Sequence, residues 1–247
     1  MVRVLILGGT GDAIALAAKA SELSDLDIIT SLAGRTSQPM IPSVNTRIGG
    51  FGGVSGLVHY LQTEQISGLI DATHPFAAQI SWNAAAAARQ AGIPHLLLVR
   101  PPWQPTAGDR WIDVDSHDAA AARLPKLAQR IFLTIGRQEL AVFAGMPDLW
   151  FLMRMIDPPQ PDAIVPTGKI ILERGPFSID KERSLLQQYD IGAIVSKNSG
   201  GAATYAKIVA AREFSIPVVM VQRPPLPATD TVTEIEGALA WLENTLL

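Results

Sequence analysis

Four segments of this chain combine residue types and spacing that could do chemistry. Gly8-Gly9-Thr10-Gly11-Asp12-Ala13 directly follows an apolar run and opens an alanine-rich stretch. Glycines there let the backbone pass close to a pyrophosphate, and a helix N-terminus offers unpaired N–H donors. Gly9, Thr10, Gly11 and Asp12 are the expected contacts. The fingerprint is incomplete, because counting from Gly9 its third glycine position is Ile14, so a tight turn that binds nothing is the plain alternative. The next apolar run, 27–32, ends without the carboxylate that would accept a bond from a ribose 2′-hydroxyl. Instead Gly34-Arg35-Thr36-Ser37 presents a guanidinium and two hydroxyls, with Arg35 and Thr36 as candidates. That chemistry suits a 2′-phosphate, hence NADPH rather than NADH, and weighs against an S-adenosylmethionine methyltransferase. A solvated loop arginine is the alternative for Arg35.

Arg47-Ile48-Gly49-Gly50-Phe51-Gly52-Gly53 places four glycines around one aromatic ring. Gly50 and Gly52 could form an anion nest of backbone N–H groups, while Phe51 lies against a flat ring; a loop without a ligand is the bland reading. In Asp71-Ala72-Thr73-His74-Pro75-Phe76 the proline stops the strand, holding Thr73, a candidate cofactor contact, and His74 at a sheet edge. His74 could donate a hydrogen bond or a proton near neutral pH, or be pinned by a backbone carbonyl. His59, His95 and His117 are poorer candidates, on a helix, a strand and a helix start. Ser196-Lys197-Asn198-Ser199-Gly200-Gly201 makes a second anion site, with Lys197 adding a full charge, or else a helix-capping turn. Arg137, Arg154 and Arg174 are further cations. Scattered arginines are usually surface residues, whereas arginines at strand ends would hold a polycarboxylate.

The elements that must position these residues come in two similar sets. Residues 66–76 and 191–201 are each a short β-branched run breaking into small and polar residues, offset by 125 (191 − 66). Ile93-Pro94 through Arg100-Pro101-Pro102 has its counterpart in Ile216-Pro217 through Arg223-Pro224-Pro225, offset by 123 (216 − 93). Residues 4–9 are echoed by 131–136. Strands alternating with helical stretches imply parallel sheets covered on both faces. The expected fold class is α/β: two Rossmann-like parallel-sheet domains, 1–105 and 106–247, with an interdomain cleft, divided at the linker-like stretch 103–110. Ligands in such sheets bind beyond the carboxyl ends of the strands. The first domain is then the cofactor-binding candidate and the second the substrate-binding candidate.

Composition bounds the remaining possibilities. In 247 residues, 48% are hydrophobic, 17% are charged, none is cysteine and the net charge is −3. This excludes a disordered chain, thiolate chemistry and cysteine-based zinc sites, and no metal centre is expected. The start reaches glycine too early for a signal-peptide core, and no apolar run approaches the roughly 20 residues of a membrane helix. The charge balance argues against a nucleic-acid surface. The expectation is a cytoplasmic protein with no membrane partner, monomeric.

Taken together, the blocks at 7–13, 31–35, 47–53, 71–77, 100–103, 133–137, 174–177 and 197–201 resemble the precorrin-6A reductase family of cobalamin biosynthesis. The match runs in order along nearly the whole chain, with Ile14 departing from an arginine in the family pattern. The resemblance implies NADPH-dependent reduction of one carbon–carbon double bond of the precorrin macrocycle, with precorrin-6B as product. It also implies a substrate rich in acetate and propionate carboxylates, for which Arg137, Arg174, Lys197, Asn198, Ser199, Gly200 and Gly201 are the binding candidates. His74 and Lys197 are the candidates for delivering the proton, alongside water or a substrate group. A short-chain dehydrogenase is ruled out because Tyr60, Tyr189 and Tyr205 each lack a lysine four residues on. A non-catalytic NADP- or tetrapyrrole-binding sensor module is the other reading.

Overall fold

The computed structural model describes residues 1–34 and 45–247. The chain divides into two units, one formed by Met1–Pro101 with Pro224–Leu247, the other by Pro102–Arg223.

The first unit is built on six parallel strands: β1 (Val2–Leu7), β2 (Leu26–Leu32), β3 (Asn45–Ile48), β4 (Gly68–Asp71), β5 (His95–Leu98) and β12 (Asp230–Val232). Their order across the sheet is β12-β5-β4-β1-β2-β3. The central strands read as unbroken apolar runs because helices cover both faces. On one face, α1 (Gly11–Ala20) and α7 (Ile235–Leu246) bury Leu16, Ala17, Ala20 and Leu242 against Val4, Ile6 and Ile70. On the other, α2 (Gly53–Thr63) and α3 (Ala78–Ala91) bury Leu57, Leu61, Ala84 and Ala87 against Leu5, Leu7 and Leu69. The alternation of Leu5 and Ile6 between opposite cores is the period-2 pattern of a strand. Helix α3 stops at Gly92, whose φ of +71° is the left-handed conformation that closes helices.

The second unit repeats the plan. Its strands are β6 (Trp111–Val114), β7 (Arg130–Thr134), β8 (Trp150–Met155), β9 (Gly168–Leu172), β10 (Ala193–Lys197) and β11 (Val218–Val221), in the order β6-β11-β10-β7-β8-β9. The helices are α4 (His117–Arg123), α5 (Ile179–Gln188) and α6 (Ala206–Glu213). The duplication extends to register. Leu69 lies opposite His95 as Ile194 lies opposite Val218, which preserves the sequence offsets of 125 and 123 (194 − 69 and 218 − 95).

The expected division at 105 is corrected in one respect. The first break falls at 101/102, but 106–247 is not one domain: the chain returns at 223/224, and β12 pairs with β5 through Asp230–Leu96 and Val232–Leu98. Both crossings coincide with the repeated Arg-Pro-Pro, residues 100–102 and 223–225. A proline pair has no N–H to give to a ladder and suits a segment leaving a sheet. Each sheet thus takes its outermost strand from the segment beyond one of these crossings, β12 in the first unit and β6 in the second.

Candidate functional site

Parallel pairing sends all strands of the first unit to one carboxyl edge, and chain order reverses between β1 and β4. Such a switch point opens the crevice where ligands enter this class of sheet. Gly9 adopts φ +105°, and a Cβ placed on Gly9 or Gly11 would meet no heavy atom within 4 Å. The turn therefore leaves open space in front of the α1 N-terminus, which is the form a pyrophosphate cradle requires.

Thr10 caps that helix. Its hydroxyl accepts the Ala13 N–H at 3.1 Å and donates to the Ala72 carbonyl at 2.8 Å. The Thr10 side chain is thus committed to the fold. Asp12 is ion-paired with Arg100, Nη1 to Oδ2 2.8 Å, which offsets its carboxylate charge at the α1 N-terminus. Arg35 and Thr36 lie outside the described residues.

The glycine loop after β3 is organised by Arg47, whose role the sequence reading missed. Its guanidinium donates to Ser31 Oγ (2.8 Å), Gly49 O (2.9 Å) and Gly50 O (3.1 Å). It also stacks 3.9 Å from the centroid of Phe51, covering one ring face. Phe51 packs edge-on to Tyr60 at 5.3 Å, so a flat ligand could use only its other face. Gly56 is obligatory beneath it, since a Cβ there would fall 1.7 Å from the Phe51 carbonyl oxygen. Gly52, at φ +80°, leads into α2 with no side-chain cap.

On the β4 side, Asp71 is buried and its Oδ1 accepts both the N–H (2.9 Å) and the hydroxyl (2.6 Å) of Thr73. His74 Nδ1 accepts the Phe76 N–H at 3.2 Å. The Phe76 N–H occupies Nδ1, so in the neutral imidazole the proton sits on Nε2.

The carboxyl edge of the second unit is different in kind. Gly136 turns at φ +84° after β7, but only a short 3-10 turn, Leu140–Phe143, follows, so no α-helix N-terminus stands where α1 stands in the first unit. The edge instead carries a set of cations, Arg137 after β7, Arg174 after β9 and Lys197 at the end of β10, with Glu139 and Glu173 in the same turns. Arg137 donates to the Pro158 carbonyl at 2.8 Å. Gly200 and Gly201 adopt φ +68° and +75°, shaping the turn after Ser199.

Asn198 is a brace for this turn. Its side-chain oxygen accepts the Trp103 N–H (2.8 Å) and its amide donates to the Trp103 carbonyl (3.1 Å). The Trp103 indole in turn donates to Gly201 O at 2.8 Å. A buried amide with both ends engaged braces the loop through its side chain. His117, set aside on sequence grounds, lies at the same edge with Nδ1 3.8 Å from Glu139 Oε2. Burial first, and then the Lys197 ammonium, hold its imidazole below the usual histidine range, with Glu139 opposing.

Arg154 does not join the cationic edge. It is 6% exposed, donates to Glu182 Oε1 at 2.6 Å and lies 3.7 Å over the Phe177 ring. Beside it, Lys207 is also buried, donates to Thr204 O at 3.0 Å and lies 4.8 Å from the Trp103 ring centroid. Burial, reinforced by Arg154, pulls this lysine down to about 7. Nothing in the local sequence marks these charges as internal; they are spread over β8, α5 and α6. Among the described residues, no helix is long and apolar enough to cross a membrane, and no group of three or more His, Cys, Asp or Glu could hold a metal ion.

Comparison with known proteins bears on this arrangement. The family model for Precorrin-6x reductase CbiJ/CobK matches residues 3–243. A precorrin-6A reductase of Rhodococcus erythropolis is 49% identical over 243 residues, covering 98% of each chain. One from Rhodobacter capsulatus is 44% identical over 244 residues, covering 99% of this chain and 97% of its own. A solved structure of CobK precorrin-6A reductase superposes with a TM-score of 0.93 at 44% identity, covering 99% of this chain and 97% of that one. With two parallel-sheet units in common and similarity along nearly its full length, the chain belongs to the precorrin-6x reductase family.

Proposed function

We propose that this chain reduces one carbon–carbon double bond of precorrin-6A with NADPH, giving precorrin-6B in cobalamin biosynthesis. The observation that carries the reading is the open turn at Gly9 and Gly11 in front of α1, beside the switch point of the first sheet. The second sheet has no helix N-terminus after its first central strand, so the dinucleotide is assigned to the first unit and the substrate's carboxylates to the cationic edge of the second.

When bound, the dinucleotide supplies a hydride. The residues of the chain hold, orient and protonate. Backbone N–H groups from Gly9 to Asp12 take the pyrophosphate, with the Thr10 cap keeping the turn in place. Arg35 and Thr36, following the strand β2, take the 2′-phosphate. The loop Gly50-Phe51-Gly52, drawn together by Arg47, presents the free face of Phe51 to a planar ring. Arg137, Arg174 and Lys197, with Ser199, Gly200 and Gly201, hold acetate and propionate groups. A chain of net charge −3 must concentrate its cations locally to attract such a substrate. The proton for the neighbouring carbon comes from the Lys197 ammonium, or from His74 as an imidazolium once its Nδ1 gives up the Phe76 N–H. Catalysis is then mainly alignment of two bound molecules.

The test is consumption of NADPH on addition of precorrin-6A, with NADH as comparator. Rapid NADPH loss with a product two hydrogens heavier supports the reading. Tight NADPH binding with no consumption would replace it with the sensor module.

A further inference from the structure

We propose that Asp71 is a positioning residue that fixes the Thr73 hydroxyl as a hydrogen-bond acceptor for the carboxamide NH2 of the nicotinamide, and so sets which face of that ring is presented. This rests on the NADPH reading above. Asp71 ends β4 with 1% exposure, and its Oδ1 takes both the N–H and the O–H of Thr73. A hydroxyl has one proton to give. At 2.6 Å from a buried carboxylate oxygen, that of Thr73 is already given, so only lone pairs remain for a ligand. The turn itself cannot drift, because the Thr10 hydroxyl holds Ala72 O at 2.8 Å. The other carboxylate oxygen, Oδ2, is buried with no hydrogen-bond partner among the described residues, so the interaction with Thr73 is the one this side chain makes.

The place in the sheet selects the ligand group. With the pyrophosphate at the α1 N-terminus and the 2′-phosphate beyond β2, the nicotinamide half falls on the opposite side of β1, over the β4 turn. A carboxamide NH2 is the donor on that ring. Holding it ties down rotation about the glycosidic bond, which is what decides the face a hydride leaves from.

The test compares binding of NADP+ with that of its 3-acetylpyridine analogue, in which a methyl replaces the carboxamide NH2. Wild-type protein should bind NADP+ about 2- to 12-fold more tightly, the worth of one neutral hydrogen bond. In Thr73→Val, which keeps the side-chain shape, the ratio should fall to about one with both compounds still bound. Thr73→Ser and Asp71→Asn should preserve it, since each retains the donor–acceptor pair. Asp71→Ala should lose it as Thr73 does. A ratio that survives Thr73→Val, or no discrimination by the wild type, overturns the inference while leaving the NADPH reading intact. Failure of either dinucleotide to bind the wild type overturns both.

Discussion

The Thr10 hydroxyl joins the two sides of the switch point, donating to Ala72 O at 2.8 Å while its oxygen accepts the Ala13 N–H. One side chain thus caps the helix after β1 and holds the turn after β4. Thr10→Val removes a cap and a cross-turn bond together. The expected destabilisation is about 2 kcal/mol in urea unfolding, with weaker NADPH binding. Thr10→Ser should restore most of both; a Val variant as stable as wild type would contradict the joint role.

Specificity for the phosphorylated dinucleotide is assigned to Arg35. Arg35→Ala should weaken NADPH binding about tenfold or more, the worth of a charged hydrogen bond, and leave NADH nearly unchanged. Equal loss for the two cofactors, measured by titration, would remove Arg35 from the 2′-phosphate.

Carboxylate recognition is assigned to the cationic edge of the second unit. Lys197→Ala should raise KM for precorrin-6A roughly tenfold without changing NADPH affinity. A fall in kcat beyond that would place the proton on Lys197 rather than on His74. Unchanged precorrin kinetics would take Lys197 out of the site.

Lys207 makes stability depend on pH in a definite direction. Burial, with the Arg154 guanidinium adding to it and Glu182 opposing, lowers it from 10.5 to about 7 in the folded state. Between those values the unfolded chain binds more protons, so this group makes the folded state gain stability as pH rises from about 7 toward 10, with a slope of at most about 1.4 kcal/mol per pH unit. Lys207→Met should lose that component. Identical slopes for the two proteins in denaturant melts between neutral and mildly alkaline pH would contradict the assignment.

The fold was legible because its signals are local. Apolar runs ending in glycine or polar turns at nearly constant offsets pointed to the duplicated sheets, and the pairing of Leu69 with His95 and of Ile194 with Val218 follows the same offsets. The return of the chain at Arg223-Pro224-Pro225 was visible as a repeat but not as a crossing, because strand order depends on packing that composition does not express. Which turns lie at the carboxyl edges was readable from the sequence. The work of individual side chains was not. Thr10 and Asn198 carry residue types that suit a ligand, yet their hydrogen bonds go to Ala72 and Trp103. Arg154 was matched with Arg137 and Arg174 by charge alone, and its burial against Glu182 depends on a helix 28 residues away. Arg47 and Asp71 were overlooked as actors because their partners are backbone groups and a neighbouring hydroxyl, which leave no spacing signature.

The central claim is most directly tested with NADPH deuterated at the transferring position of the nicotinamide, incubated with precorrin-6A and this protein. Mass spectrometry of the macrocycle should find a single deuterium on a ring carbon, with a second, solvent-derived hydrogen on its neighbour. A reduced macrocycle without the label, or loss of the label to water, would contradict direct transfer between the two bound molecules.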